Sequence, residues 1–135
     1  MEGCVVTGTI KSVVRGGLLV AIDDVEAKVA LICEAHARGI KILSSMGAAN
    51  RRDPMAFRVA DISETHTCPL AKKMRRLLAA QGIDKGVSVV YSTERPASFG
   101  GALGSNAFVP PAAGILLARA AVDLILGGFC ENNID

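Results

Sequence analysis

The sequence predicts an α/β fold: a mostly parallel sheet with flanking helices, preceded by a short β-hairpin. Two observations carry this. From residue 18 on, stretches rich in β-branched residues alternate with stretches of helical periodicity, in the order strand, helix, strand, strand, helix, strand, loop, helix. That alternation favours parallel strands joined by helical crossovers. Half of the 135 residues are hydrophobic and 21% are charged, and 14 are glycine. That is enough apolar surface for one domain core, with glycines for tight turns.

The elements follow in order. Residues 4–10 and 17–22 are β-branched and aliphatic around Arg15-Gly16-Gly17, which reads as strand, turn, strand. Asp23 with Glu26 three residues later has capping-box spacing and predicts a helix start. Val25, Val29, Ile32, Cys33 and His36 then share one helical face, and Gly39 suits a left-handed C-terminal cap. Ile40 to Ser45 predicts a short buried strand, followed by the small-residue loop Met46-Gly47-Ala48-Ala49-Asn50. Phe57 to Asp61 alternates as a strand does. Thr67-Cys68-Pro69 opens a second helix, because proline is tolerated in a first turn. Leu70, Met74, Leu77 and Leu78 form its apolar stripe, and Gly82 ends it. Val87 to Tyr91 reads as a strand ending in Ser92-Thr93-Glu94, and Arg95 to Gly104 is a Pro/Gly/Ser-rich loop. Pro110-Pro111 start a last helix that is apolar nearly all round, which predicts burial.

Composition excludes several classes. Only five residues are aromatic and none is Trp, which disfavours a base-stacking platform or an oligonucleotide-binding barrel. The net charge of +2 is too balanced to argue nucleic-acid binding by itself. Residues 51–95 nonetheless carry nine Lys/Arg against five Asp/Glu, a local excess of +4, which reads either as a solvated face or as a phosphate-facing one. Cys4, Cys33, Cys68 and Cys130 are scattered with no C-x-x-C pair, so no zinc site is expected, and reduced thiols in a cytoplasmic protein are. Met1-Glu2-Gly3 does not open a signal peptide, and Pro110–Phe129 is too polar for a membrane span.

Three places can carry chemistry. Asp23 closes the apolar run Val20-Ala21-Ile22; a carboxylate at the C-terminal end of a parallel strand faces the ligand crevice of an open α/β sheet and can hold Mg²⁺ on a nucleotide. Its alternative role is that of a helix cap. The loop from Ser44 to Asp53 emerges at the same sheet edge, and Arg51 and Arg52 in it can meet phosphate. Cys68 stands at a helix N-terminus, which favours thiolate, with Lys72, Lys73, Arg75 and Arg76 just downstream; it is a candidate nucleophile or a structural thiol. Gly-Lys is absent, so there is no P-loop, and Phe99-Gly100-Gly101-Ala102-Leu103-Gly104 only approaches a dinucleotide fingerprint. No H-E-x-x-H or G-x-S-x-G occurs.

A set of motifs in order resembles a family. These are Ala21-Ile22-Asp23-Asp24 with Lys28 on the following helix, Lys41 to Ala48, Asp53-Pro54, Val59-Ala60-Asp61-Ile62, Cys68-Pro69-Leu70-Ala71, Val90 to Glu94, and Gly104-Ser105-Asn106-Ala107-Phe108-Val109-Pro110-Pro111-Ala112-Ala113-Gly114. Together they resemble the C-terminal half of the ThiF/MoeB/HesA superfamily, relatives of the ubiquitin-activating enzymes, and within it the tRNA threonylcarbamoyladenosine dehydratases. The resemblance implies a partial Rossmann-like, mostly parallel sheet over residues 21–130, with residues 1–20 a hairpin unlike the family and 131–135 a tail. It implies ATP-dependent adenylation of a carboxylate followed by cyclisation. Asp23 would handle Mg-ATP, Lys28 would support ATP, and Cys68 falls where thioester-forming relatives carry a cysteine. Arg51, Arg52, Lys72, Lys73, Arg75 and Arg76 would lie near tRNA.

Two departures qualify the expected activity. The family's Gly-rich, ATP-gripping half is not represented, so the isolated chain is expected to be inactive. Val20 also stands where the family strand usually has a further Asp. A homo-oligomer is expected, with neither DNA nor a membrane as partner; the alternative is a non-catalytic α/β module for self-association or partner binding.

Overall fold

The computed structural model describes residues 9–14, 17–21, 24–98, 100, 101 and 104–127. Asp23, Cys4, Cys130, Phe99, and the 131–135 tail lie outside the described residues. The elements are β1 (Thr9–Val14), β2 (Gly17–Ala21), α1 (Val25–Ala37), β3 (Leu43–Ser45), β4 (Phe57–Asp61), α2 (Pro69–Ala80), β5 (Ser88–Ser92) and α3 (Val109–Ile125). Short 3-10 turns at Pro54–Ala56 and Ile62–Glu64 flank β4.

The hairpin is present. β1 pairs with β2 antiparallel, with Thr9 opposite Ala21 and Val14 opposite Gly17. The first strand runs on to Val14 rather than stopping at residue 10, and the register shifts between Ile10 and Ser12, the signature of a bulge.

The α/β class holds in the second sheet, whose order is β3-β5-β4. β3 runs parallel to β5, Leu43 opposite Ser88 and Ser45 opposite Val90. β4 runs antiparallel to β5, Phe57 opposite Ser92 and Asp61 opposite Ser88. The sheet is therefore mixed, for a topological reason. After β4 the chain first returns along the sheet through Ile62–Cys68, and only then does α2 carry it back. That additional pass reverses the sense of β5 relative to β4.

Alternation along β5 builds two cores. Val87, Val89 and Tyr91 face one way and join Ile32 of α1 and Ala71, Met74 and Leu78 of α2. Val90 faces the other way, against Val109 and Ala113 of α3 and Phe57 of β4. The result is α1 and α2 on one face of the sheet and α3 on the other.

Local sequence explains the ends of α1. Its cap is Asp24, not Asp23: the Asp24 carboxylate accepts from the amides of Glu26 (2.9 Å) and Ala27 (3.4 Å). At the far end Gly39 has φ +66° and the Ile40 amide donates to the Ala35 carbonyl (2.9 Å), a Schellman closure. His36, at the end of the expected apolar face, and Ile40, expected to begin a buried strand, are both exposed. The other correction is α3, where Ile115 is 72% exposed and Val122, Ile125 and Leu126 are each at least half exposed. Alanines and Val109 make its packing face instead, because small side chains let the helix sit close to the sheet. No helix among the described residues is long and apolar enough to cross a membrane.

Candidate functional site

β3 and β5 end at the same sheet edge, and the loops leaving them define a crevice there, where open α/β sheets bind ligands. The Met46 amide donates to the Val90 carbonyl (2.8 Å), which fixes where the first loop departs. Lys28, in the first turns of α1, sends Nζ to the Ser45 carbonyl at 2.8 Å.

The loop after β3 is held from both sides. Asn50 adopts φ +59°, a left-handed conformation asparagine tolerates. Its amide donates to the Gly104 carbonyl, its Oδ1 accepts from the Gly104 amide, and its carbonyl accepts from the Ala97 amide, each at 2.7 Å. Glu94, just past β5, accepts from the Arg52 amide (3.0 Å) and the Asp53 amide (2.9 Å). Asp53 in turn accepts from the Met55 amide (2.8 Å). Asn50 and Glu94 carry little local signal of this role, because their partners are far along the chain. An asparagine beside paired arginines was the only local hint.

Arg51 and Arg52 are adjacent but differently placed. Arg52 is exposed; Arg51 is only 4% exposed. Arg51 Nη1 donates to the Ala49 carbonyl (3.0 Å), while Nε and Nη2 are buried without a hydrogen-bond partner. Arg51 lines a cleft of about 440 Å³ together with Gly47, Cys68, Leu70 and Pro96. It also lines a second cleft of about 420 Å³ with Arg52, Ser105 and Asn106.

Cys68 is the N-cap residue of α2, buried, a free thiol, and without a side-chain capping bond. A Cβ added at Gly47 would lie 3.5 Å from Arg51 Nη1 and 3.9 Å from Cys68 Sγ, so both flank one point in the cleft. Sequence reading treated Arg51 and Cys68 separately; the fold brings them together. His66 is occupied elsewhere, with Nδ1 2.8 Å from Thr67 Oγ1 and its ring edge-on to Tyr91. Thr67 has φ +64°, an unusual backbone for a β-branched residue. On α2, Lys72, Lys73 and Arg76 are exposed, whereas Arg75 is half-buried and its Nη1 donates to the Thr65 carbonyl (2.7 Å) and hydroxyl.

This α/β segment, with its mixed sheet, helices on both faces and a loop-lined crevice at the ends of β3 and β5, is similar to ThiF/MoeB-like proteins. The particular relatives are the tRNA threonylcarbamoyladenosine dehydratases, to which this chain is similar over most of its length. It is 39% identical to the Bacillus subtilis tRNA threonylcarbamoyladenosine dehydratase over 124 residues, covering 78% of this chain and 49% of the relative. It is 44% identical to tRNA threonylcarbamoyladenosine dehydratase 2 of Saccharomyces cerevisiae over 75 residues, 56% of this chain and 17% of that protein. The crystal structure of the E. coli dehydratase in complex with AMP superposes with a TM-score of 0.73 at 29% identity, over 78% of this chain and 46% of that one. Its complex with ATP gives 0.74 at 29%, over 84% and 49%. No family model matches the sequence. The chain thus spans about half the length of the Bacillus relative.

Proposed function

We propose that this chain acts in ATP-dependent dehydration of threonylcarbamoyladenosine in tRNA. The observation that carries the reading is the 39% identity to a named dehydratase across most of the chain, together with the loop-lined crevice. ATP, when bound, supplies the group that turns a substrate carboxylate into one with a good leaving group, and Mg²⁺ would accompany its phosphates.

The described residues fit one side of such a site. Lys28 brings an ammonium to the end of β3, where Gly47 sits between Arg51, Leu70 and Cys68. Asp23, next in sequence to the capping Asp24, is the residue we assign to Mg-ATP. Cys68 lines the crevice and is the candidate nucleophile for a transfer step. Arg52, Lys72, Lys73 and Arg76 offer exposed charge to tRNA phosphates, while Arg51 and Arg75 act from within the structure. A tRNA substrate and the free thiols Cys33 and Cys68 support a cytoplasmic location.

Calorimetry with ATP and Mg²⁺ tests nucleotide binding: heat with the wild-type chain and its loss in Asp23→Ala are expected, and no heat at millimolar ATP overturns it for this chain. For tRNA, Lys72→Glu with Arg76→Glu should weaken binding and flatten its salt dependence. Unchanged binding removes this helix from the interface.

The exposed apolar side of α3 favours a second reading, self-association of the chain. Light scattering should then give a dimer or larger species, converted to monomer by Ile115→Glu with Val122→Glu. A wild-type monomer overturns it.

A further inference from the structure

We propose that Arg51 anchors an oxyanion subsite in this crevice, taking two oxygens of one phosphate or carboxylate side-on through Nε and Nη2. A guanidinium is planar and stays charged, and its donors form a rigid fork matched to two oxygens of one anion. Arg51 uses one end of that fork, Nη1, on the Ala49 carbonyl. Nε and Nη2, which share the other edge, are buried and have no acceptor among the described residues. A charge this far from water with donors left over is costly, so an incoming anion gains unusually strongly.

Among the described residues, the nearby carboxylates do not supply that anion. The two carboxylates of this loop are both engaged with backbone amides, Glu94 with Arg52 and Asp53, and Asp53 with Met55. The loop is also preorganised, since Asn50 is fastened to Gly104 and Ala97 immediately before Arg51. Across Gly47 lies the N-terminus of the twelve-residue α2, whose N-cap Cys68 provides no side-chain cap and whose first residue, Pro69, has no N–H. The positive end of that helix adds to the field in the same cleft.

Where the oxyanion belongs to the RNA substrate, as a backbone phosphate or as the carboxylate of the modified nucleoside, the assignment rests on the reading above. Binding of the oxyanion itself does not.

The test uses the full 135-residue chain labelled with ¹⁵N-arginine. The Arg51 Nε–H resonance, identified by its loss in Arg51→Lys, is followed while inorganic phosphate or N-carbamoylthreonine is added. A saturable shift of that resonance is expected with at least one probe, and the one that acts identifies the source as phosphate or carboxylate. Arg51→Lys keeps the charge but loses the fork, and should weaken the effective probe about tenfold by calorimetry, while Arg38→Lys at the C-terminal cap of α1 should not. No shift with either probe overturns the subsite, as does wild-type affinity in Arg51→Lys. If that variant fails to fold by circular dichroism, through-bond assignment of the wild-type chain identifies the resonance instead, and the wild-type titration still decides. Anion binding without any ATP binding would sink the nucleotide reading and leave the subsite standing.

Discussion

Helices α2 and α3 cover opposite faces of the same three-stranded sheet, yet α2 hides its apolar stripe and α3 leaves much of its apolar surface in solvent. Ala71, Met74 and Leu78 of α2 are completely buried, with Lys72, Lys73 and Arg76 on the outside. In α3 the buried residues are mostly small, Val109, Ala113, Ala120 and Ala121, while Ile115 and Val122 point outward. The difference teaches that charge, more than hydrophobicity, orients a helix. Four basic residues leave α2 one way to face. The only charged residues of α3, Arg119 and Asp123, pair with each other at 3.2 Å and constrain its rotation little, so close approach to the sheet decides.

The sharpest way to break this comparison is paired truncation. Leu78→Ala should cost about 2–5 kcal/mol in denaturant unfolding, since it opens a cavity under α2. Ile115→Ala should change stability by less than about 0.5 kcal/mol in the same measurement. Equal losses would mean that the exposed side of α3 is covered in solution. A smaller effect is expected at α1, which packs beside α2: Asp24→Ala removes the amide acceptor and should cost about 1 kcal/mol.

The smallest effect is a pH dependence at the end of β4. Burial alone would raise the Asp61 carboxyl, but hydrogen bonds from Ser63 and from the Gly86 amide outweigh it and hold the group below its ordinary value of 3.8. A lowered folded value means that this stabilisation is present above pH 3.8 and fades as pH falls through the lowered value. Asp61→Asn should therefore flatten the acid limb of a stability-against-pH curve, and an unchanged limb would show that Asp61 contributes nothing there.

Much of the frame was legible because its causes are local. The stripe Met74, Leu78 and the proline at the start place α2, Gly39 closes α1, and alternation marks β4 and β5. The family resemblance was legible too, in motifs spread from Ala21 to Gly114. The site was legible as a set of residue types but not as an arrangement. Arg51 and Arg52 look alike in sequence, and nothing nearby says that one is buried. Asp23 has the capping-box spacing to Glu26, and only hydrogen-bond geometry shows that its neighbour Asp24 is the cap.

By itself, then, the sequence determined the α/β class, the order of elements, most helix ends and the dehydratase resemblance, since periodicity, caps and motifs act over a few residues. Tertiary structure alone decided the sense of β4 against β5, the exposed side of α3, and the meeting of Arg51 with Cys68 across Gly47. Each of these depends on contacts between distant segments. Gly104 reaches Asn50 from 54 residues away and Glu94 reaches Arg52 from 42, and no local preference encodes such pairings.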